Sequence, residues 1–436
     1  MVTALFFPFS GADEDDATEE YNRSSSRELI VRNFCDFFAG AGLTSLALKE
    51  AWKCIWANDI DEKKAQVYRA NFPADHFVCK DIAEVIADEL PGGAEMAWAS
   101  FPCQDLSLAG WRRGLSAERS GTFWQFWRLM HEQSKTGRRP PIIVIENVVG
   151  LLYGDNFTGL CEALAALGMQ FGALVMDAKH FLPQSRPRVF LVAADRGLNA
   201  TRLTTRIPNA IWTPPTLMRA VLQLPESLHD LWRWWHIPVP SERKIPLARV
   251  IETSPTLVHW HTRQETEYVL SLMNETNVAK IEAARQVKGR HVGFLYKRIR
   301  EGKQRAEVRF DGMSGCLRTP QGGSSRQTVV IVEKGQVRSR LLSAREAARL
   351  MGVPDTFILP EKYNDGYKAM GDGVAVPVVR WLSQHLLEPL ASTAPRLAHQ
   401  AAQHPAFASS FKNSEQRAIQ WSVMANGKSQ DRRHRA

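Results

Sequence analysis

Between Ile30 and about Asp195 the chain alternates short apolar runs with amphipathic stretches of helical period, and few architectures accept that alternation. The strand candidates are Ile30–Asp36, Lys53–Asn58, His76–Cys79, Met96–Ser100, Ile142–Glu146, Gly172–Asp177 and Val189–Ala194. Helical stretches such as Leu43–Trp52, Lys63–Asn71, Thr122–Gln133 and Gly159–Leu167 lie between them. Strand and helix in turn predict a parallel sheet with crossover helices, so residues 30–196 read as one doubly wound α/β domain.

The pattern lapses after Asp195. Residues 197–337 are rich in Trp, Arg, Pro and Gly, with a helix expected over Glu265–Ala284, and read as a second, smaller domain. Within it, the Trp232-Arg233-Trp234-Trp235 cluster suits a small core better than a base-stacking surface. Residues 338–392 return to the first domain, with helical patterns at Leu341–Met351 and Val374–Leu387. Polar residues 1–29 read as a disordered leader and residues 393–436 as a basic tail.

The opening residues lack a basic leader and a cleavage site, and no apolar run could cross a bilayer, which points to the cytoplasm and no membrane partner. The six cysteines form neither a CxxC pair nor a short His/Cys cluster, which argues against a metal site and a disulfide scaffold. A formal charge of +9 suggests a polyanionic partner.

Several short motifs fall where strands end. Asp36-Phe37-Phe38-Ala39-Gly40-Ala41-Gly42 follows the first strand and opens a helix, where glycines permit close approach of a ligand or simply a tight turn. Asp59 ends the second strand, about where such folds place a carboxylate on ribose hydroxyls, and Asp81 follows the third; either could instead cap a helix. Ser100-Phe101-Pro102-Cys103-Gln104 places a thiol in a loop beyond a central strand, where open α/β folds bind ligands. Glu146 ends a buried apolar strand and either caps a helix or meets substrate. Two adjacent strands would bring this thiol and carboxylate to one rim. Arg186 and Arg188, two residues apart, project to one side of an extended segment, toward an anionic substrate or a structural carboxylate.

The ordered set FFAGAG, NDID, KDI, FPCQ, IENV, QSRPR, RLLSAREAARLMGVPD and GDGV runs from about Asn33 to Leu387. In order and approximate spacing it resembles the cytosine carbon-5 DNA methyltransferases of bacterial restriction-modification type. The resemblance implies a Rossmann-like methyltransferase sheet, S-adenosylmethionine as cofactor, and a target-recognition domain in the variable 197–337 segment. It implies that Phe38 packs on the cofactor, with Gly40 and Gly42 beside its methionine moiety. Asp59 would meet the ribose, where the family usually has Glu, and Asp81 and Ile82 the adenine. Ile60, Pro102 and Asp372 complete the implied cofactor set. Cys103 matches the nucleophile, with Gln104 beside it, Glu146 the catalytic acid, and Arg186 and Arg188 the arginines near the target base. Arg340 begins a motif that helps to organise the site. One departure stands out: Gly371-Asp372-Gly373-Val374 replaces the usual Gly-Asn-Ser-Val or Gly-Asn-Ala-Val.

The chemistry implied is addition of the Cys103 thiolate to carbon 6 of a cytosine flipped out of duplex DNA, which makes carbon 5 nucleophilic toward a methyl donor. Glu146 would stabilise the developing charge and Arg186 would polarise the base carbonyl. Arg305, Arg309, Arg318 and Arg326 are candidates for reading neighbouring bases. A monomer acting on double-stranded DNA is expected, with a cognate restriction endonuclease as a further partner. The rival readings are a tRNA cytosine-5 methyltransferase and a catalytically silent DNA-binding protein, the latter opposed by the presence of both Cys103 and Glu146.

Overall fold

The computed structural model describes residues 31–102, 121–242, 245–300, 302–317 and 325–393. Cys103, Gln104, Arg318, the 1–29 leader and all but the first residue of the 393–436 tail lie outside the described residues.

All seven expected strands form: β1 (Arg32–Phe37), β2 (Trp52–Asp59), β3 (Phe77–Cys79), β4 (Met96–Ala99), β5 (Ile142–Val148), β6 (Met169–Asp177) and β7 (Pro187–Asp195). They join in one sheet of order β3-β2-β1-β4-β5-β7-β6. The first five are parallel to one another, whereas β7 runs antiparallel to both β5 and β6. The parallel expectation therefore fails at one strand. Only residues 178–186 link β6 to β7, too short a connection for a crossover helix, so the chain turns back on itself.

β5 shows how this sheet is buried. Ile142 and Val144 face one core while Ile143 and Ile145 face the other, and all four are inaccessible. On one side α1 (Leu43–Leu48) packs with residues of the returning C-terminal segment. α2 (Glu62–Asn71) adds Val67 to that side; on the other lie α3 (Thr122–Lys135) and α4 (Asn156–Ala166), which contribute Phe123, Phe126, Phe157 and Leu160. With strands apolar on both faces, chemistry is confined to their ends.

The segment after β7 carries α5 (Pro215–Leu222) and then runs along the outer edge of β6. Trp232 packs in one of the two cores and Trp235 in the other, so this cluster covers the large sheet instead of building a core of its own. The Arg233 amide donates to the Phe171 carbonyl, 2.7 Å away. The next residue of β6 is Gly172, and a β-carbon there would lie 1.9 Å from the Arg233 carbonyl oxygen.

The expected helix at Glu265–Ala284 is two: α6 (Arg263–Ser271) and α7 (Glu275–Gln286), parted where Asn274 caps the second. A second sheet follows that the sequence did not announce. Its strands β8 (Arg290–Arg300), β9 (Lys303–Arg309), β10 (Thr328–Glu333) and β11 (Gln336–Leu341) are antiparallel in the order β11-β10-β8-β9. Val269, Met273 and Ile281 cover Leu295, Val330 and Val332 on one face of it, and Phe294, Val329 and Ile331 on the other face join the main core.

The chain then returns to the large sheet through α8 (Ala344–Leu350), α9 (Tyr363–Asp372) and α10 (Val376–Leu382), with a π-helical turn at Ser383–Leu387 and α11 (Glu388–Ala391). No helix among the described residues is long and apolar enough to cross a membrane.

Candidate active site

The first half of the site is a turn that β1 delivers against β2. Phe38, Gly40 and Gly42 all have positive φ, at 60°, 57° and 84°. Gly42 is obligatory on space as well as on angle, because a β-carbon would approach Phe72 to 2.5 Å and Tyr68 to 2.9 Å. Asp59, 8% exposed, holds the turn: one carboxylate oxygen accepts from the Gly40 amide and the other from the Asp61 amide, both at 2.9 Å. It is Asp61 that caps α2, through the Lys63 and Lys64 amides. Asp81 caps the short 3-10 turn Ile82–Glu84 by accepting from Ala83, so capping is part of its work; Ile82 is buried and Ile60 exposed.

Beneath this turn lies Asp36, wholly buried, with its pKa pushed up by desolvation and only partly relieved by a hydrogen bond from Ser45. Burial also raises the Cys35, Cys54 and Cys161 thiols, Cys54 to about 12, which suits small core residues and not nucleophiles.

The second half lies two strands further on. β4 pairs with β5 in the register Ala99 to Ile145, so the loop leaving β4 and the carboxylate ending β5 share a rim. Asn147 pins that loop by donating to the Phe101 carbonyl at 3.3 Å, and Phe101 stacks edge-on to Phe38. Pro102 is exposed at the last described position before Cys103. Glu146 is 8% exposed and forms an ion pair with Arg188 at 3.1 Å.

The two arginines of QSRPR have different surroundings. Arg186 is buried, which lowers its pKa with help from neighbouring Arg188, and its terminal nitrogens donate to carbonyls of Gly371 (2.9 Å), Gly373 (2.7 Å) and Leu317 (3.4 Å). It clamps three distant segments together. Gly373, where the family carries Ser or Ala, packs so closely on α1 that a β-carbon would meet Leu43 at 2.5 Å. Asp372, between the two clamped carbonyls, forms an ion pair with Lys64 at 3.0 Å.

With this geometry in view, comparison with known proteins decides the lineage. The family model for C-5 cytosine-specific DNA methylase matches residues 32–388, most of the chain. The chain belongs to that family. It is therefore a DNA cytosine-5 methyltransferase. Among similar proteins, the type II methyltransferase M.BsuFI of Bacillus subtilis is 25% identical over 387 residues, covering 86% of this chain and 78% of that protein. The type II methyltransferase M.Bsp6I of Bacillus sp. (strain RFL6) is 26% identical, covering 80% and 96%. Two solved structures share the fold: the Entamoeba histolytica methyltransferase EhMeth (TM-score 0.55, 14% identity, 83% of this chain and 99% of that one) and the S. pombe Dnmt2 methyltransferase (0.51, 17%, 82% and 99%).

In this methylase the RLLSAREAARLM stretch joins the two sheets. Arg340 at the end of β11 and Glu346 in α8, both inaccessible, form a bidentate pair at 2.6 and 2.7 Å. The Glu346 carboxylate also accepts from the Ser343 and Glu252 amides, and Ser343 caps α8.

Two neighbours of the site had no signal in the sequence. The Cys316 thiol lies 3.2 Å from Arg186 and 4.0 Å from Arg188, though nothing in its local sequence marks it. Lys64 sits in a charged helical stretch where nothing local distinguishes it from its neighbours. Among the arginine candidates for base reading, Arg309 is paired with Asp311 and Arg326 with Asn364, while Arg305 is exposed and its side chain makes no hydrogen bond or ion pair among the described residues. No group of side chains there could hold a metal ion.

Proposed function

We propose that this methylase transfers a methyl group from S-adenosylmethionine to carbon 5 of a cytosine flipped out of a short, specific duplex sequence, through a covalent bond to Cys103. It would serve as the modification component of a restriction-modification system, as the type II names of its relatives suggest.

The observation that carries the reading is the Glu146–Arg188 pair, one strand away from the loop that leads into Cys103 and tied to it through Asn147. A thiolate adding to carbon 6 breaks the ring double bond and drives charge toward ring nitrogen 3 and the carbonyl oxygen. Glu146 would share a proton with the nitrogen. The sequence reading gave Arg186 the carbonyl. With that side chain committed to three backbone carbonyls, we assign the role to Arg188, which stands beside Glu146 at the same rim. Once carbon 5 carries the new methyl group, loss of its proton to a base in solvent re-forms the ring double bond as the Cys103–carbon bond breaks and the thiolate returns.

The cofactor residues fit the donor. The tight turn at Gly40 and Gly42, held by Asp59 and bordered by Phe38, would hold a nucleoside joined to an amino acid, with Ile60, Asp81, Ile82, Pro102 and Asp372 as its further proposed contacts. When bound, S-adenosylmethionine supplies the electrophilic methyl group. The second sheet with α6 and α7 would read bases beside the target, paid for in part by phosphate contacts, since flipping costs on the order of a few kcal/mol.

The test is to express the chain, and Cys103→Ser, in a host without cytosine methylation and sequence plasmid DNA after base-resolution deamination. Protected cytosines within one short motif, absent with the serine variant, are expected. Soluble protein that protects no cytosine would overturn the DNA reading and direct attention to RNA.

A further inference from the structure

We propose that Lys64 is a binding residue for the amino-acid end of the methyl donor, paired with Asp372 until the donor enters. This rests on the reading that the donor is S-adenosylmethionine.

Three ion pairs join α2 to the neighbourhood of α9. Lys63 reaches Asp365 (3.0 Å), Lys368 reaches Asp61 (2.9 Å) and Lys64 reaches Asp372 (3.0 Å). The first two tether the helices. The third differs in where it lies. The Lys64 stem runs beside the glycine turn, with its δ-carbon 3.9 Å from the point a Gly40 β-carbon would occupy, and the Asp59 carboxylate stands 4.0 Å from the same point. The residue proposed for the ribose and Lys64 thus both border the space that a Gly40 side chain would fill.

Both members of the pair are positioned in advance. Asp61 caps α2 through the Lys64 amide, which fixes the root of the lysine. Arg186 holds the carbonyls on either side of Asp372, which fixes the root of the carboxylate. Neither is sealed, however: the side chains keep 19% and 32% of their accessibility. Burial pulls the Lys64 pKa down, but Asp372, Asp59 and Asp61 outweigh it and leave it raised, so the ammonium stays charged.

The donor's amino-acid end is a zwitterion. A reachable ammonium and carboxylate 3.0 Å apart offer one partner for each of its charges. Parting the pair to admit the ligand loses one ion pair and forms two. The arrangement also gives a physical reason for the Asp at position 372 where the family usually has Asn: a carboxylate is the group that a lysine at position 64 requires.

The experiment compares two ligands by titration calorimetry on the full chain. S-adenosylhomocysteine carries the amino-acid end, and 5′-methylthioadenosine lacks it. Lys64→Met, which keeps the stem, is expected to weaken S-adenosylhomocysteine about tenfold or more while leaving 5′-methylthioadenosine within about twofold. Lys64→Arg, which keeps the cation and guards against a folding defect, is expected to retain most of the affinity for both. Equal weakening of both ligands by Lys64→Met would reduce the pair to a third tether and overturn the proposal, as would no change in either. If the unaltered chain binds 5′-methylthioadenosine and S-adenosylhomocysteine equally, no group engages the amino-acid end and Lys64 loses its role. If it binds neither, the donor reading falls first and the inference with it.

Discussion

At the rim of the large sheet Asp59, Glu146 and Arg186 are each less than a tenth exposed, and each is committed to a backbone amide, a backbone carbonyl or an opposite charge. On the second sheet Lys303, Gln304 and Arg305 line an edge strand in open solvent, and only Ala306 and Val308 of that strand turn inward. The two regions spend polarity differently. At the rim, charge shapes the protein itself, so loss of a group should cost folding and chemistry together. Along Lys303–Arg305 of the second sheet, charge is left over from folding and is available to a partner.

The strongest challenge to this contrast is the pair that joins the regions. Glu346→Gln would leave Arg340 buried without its counter-charge and loosen the Ser343 and Glu252 amides from the same carboxylate. A loss of about 3–5 kcal/mol is expected, read as a lower denaturant midpoint. A midpoint unchanged within error would mean that the second sheet is held by its apolar contacts alone, through Phe294, Val329 and Ile331.

A smaller effect is expected at the far edge of the large sheet. Gly172→Ala forces a methyl group against the Arg233 carbonyl and must push back the strip that carries Trp232 and Trp235. Overpacking of this kind costs roughly 1–3 kcal/mol. If the variant melts with the parent, the edge yields readily and the rigidity inferred for the rim stops short of β6.

The same contrast explains what could be read in advance. Strands β1 to β7 were legible because burial on both faces leaves runs such as Ile142-Ile143-Val144-Ile145 that nothing else accounts for, and the motifs sit at their ends. The reversal of β7 was not, since periodicity is blind to direction; the short 178–186 connection was the available clue. β8 and β9 carry no clear strand signal, because Arg290–Arg300 and Lys303–Arg309 hold so many charges that only the inward face reveals their pairing. The roles of Arg186, Cys316 and Lys64 depend on contacts with segments far along the chain, as from Arg186 to Gly373 or Lys64 to Asp372. Local sequence holds no record of those.

The mildest test bears on the second region alone. Arg305 lies opposite Arg298 in the β8–β9 register, yet Arg298 is tied to Glu307 whereas Arg305 stands free among the described residues. Arg305→Ala should therefore leave stability within about 0.5 kcal/mol, as for surface positions without a structural partner. If Arg305 meets a phosphate, the affinity for every DNA sequence falls alike and the slope of log affinity against log salt drops by about one. If it meets a guanine edge, affinity falls for the preferred sequence alone, by roughly 1–3 kcal/mol, and the site relaxes at one position. Melting curves and salt titrations on matched and mismatched duplexes separate these outcomes. A variant that loses stability instead, with DNA affinity intact, would show that charge on the second sheet serves the fold just as it does at the rim, and the contrast between the two regions would fall.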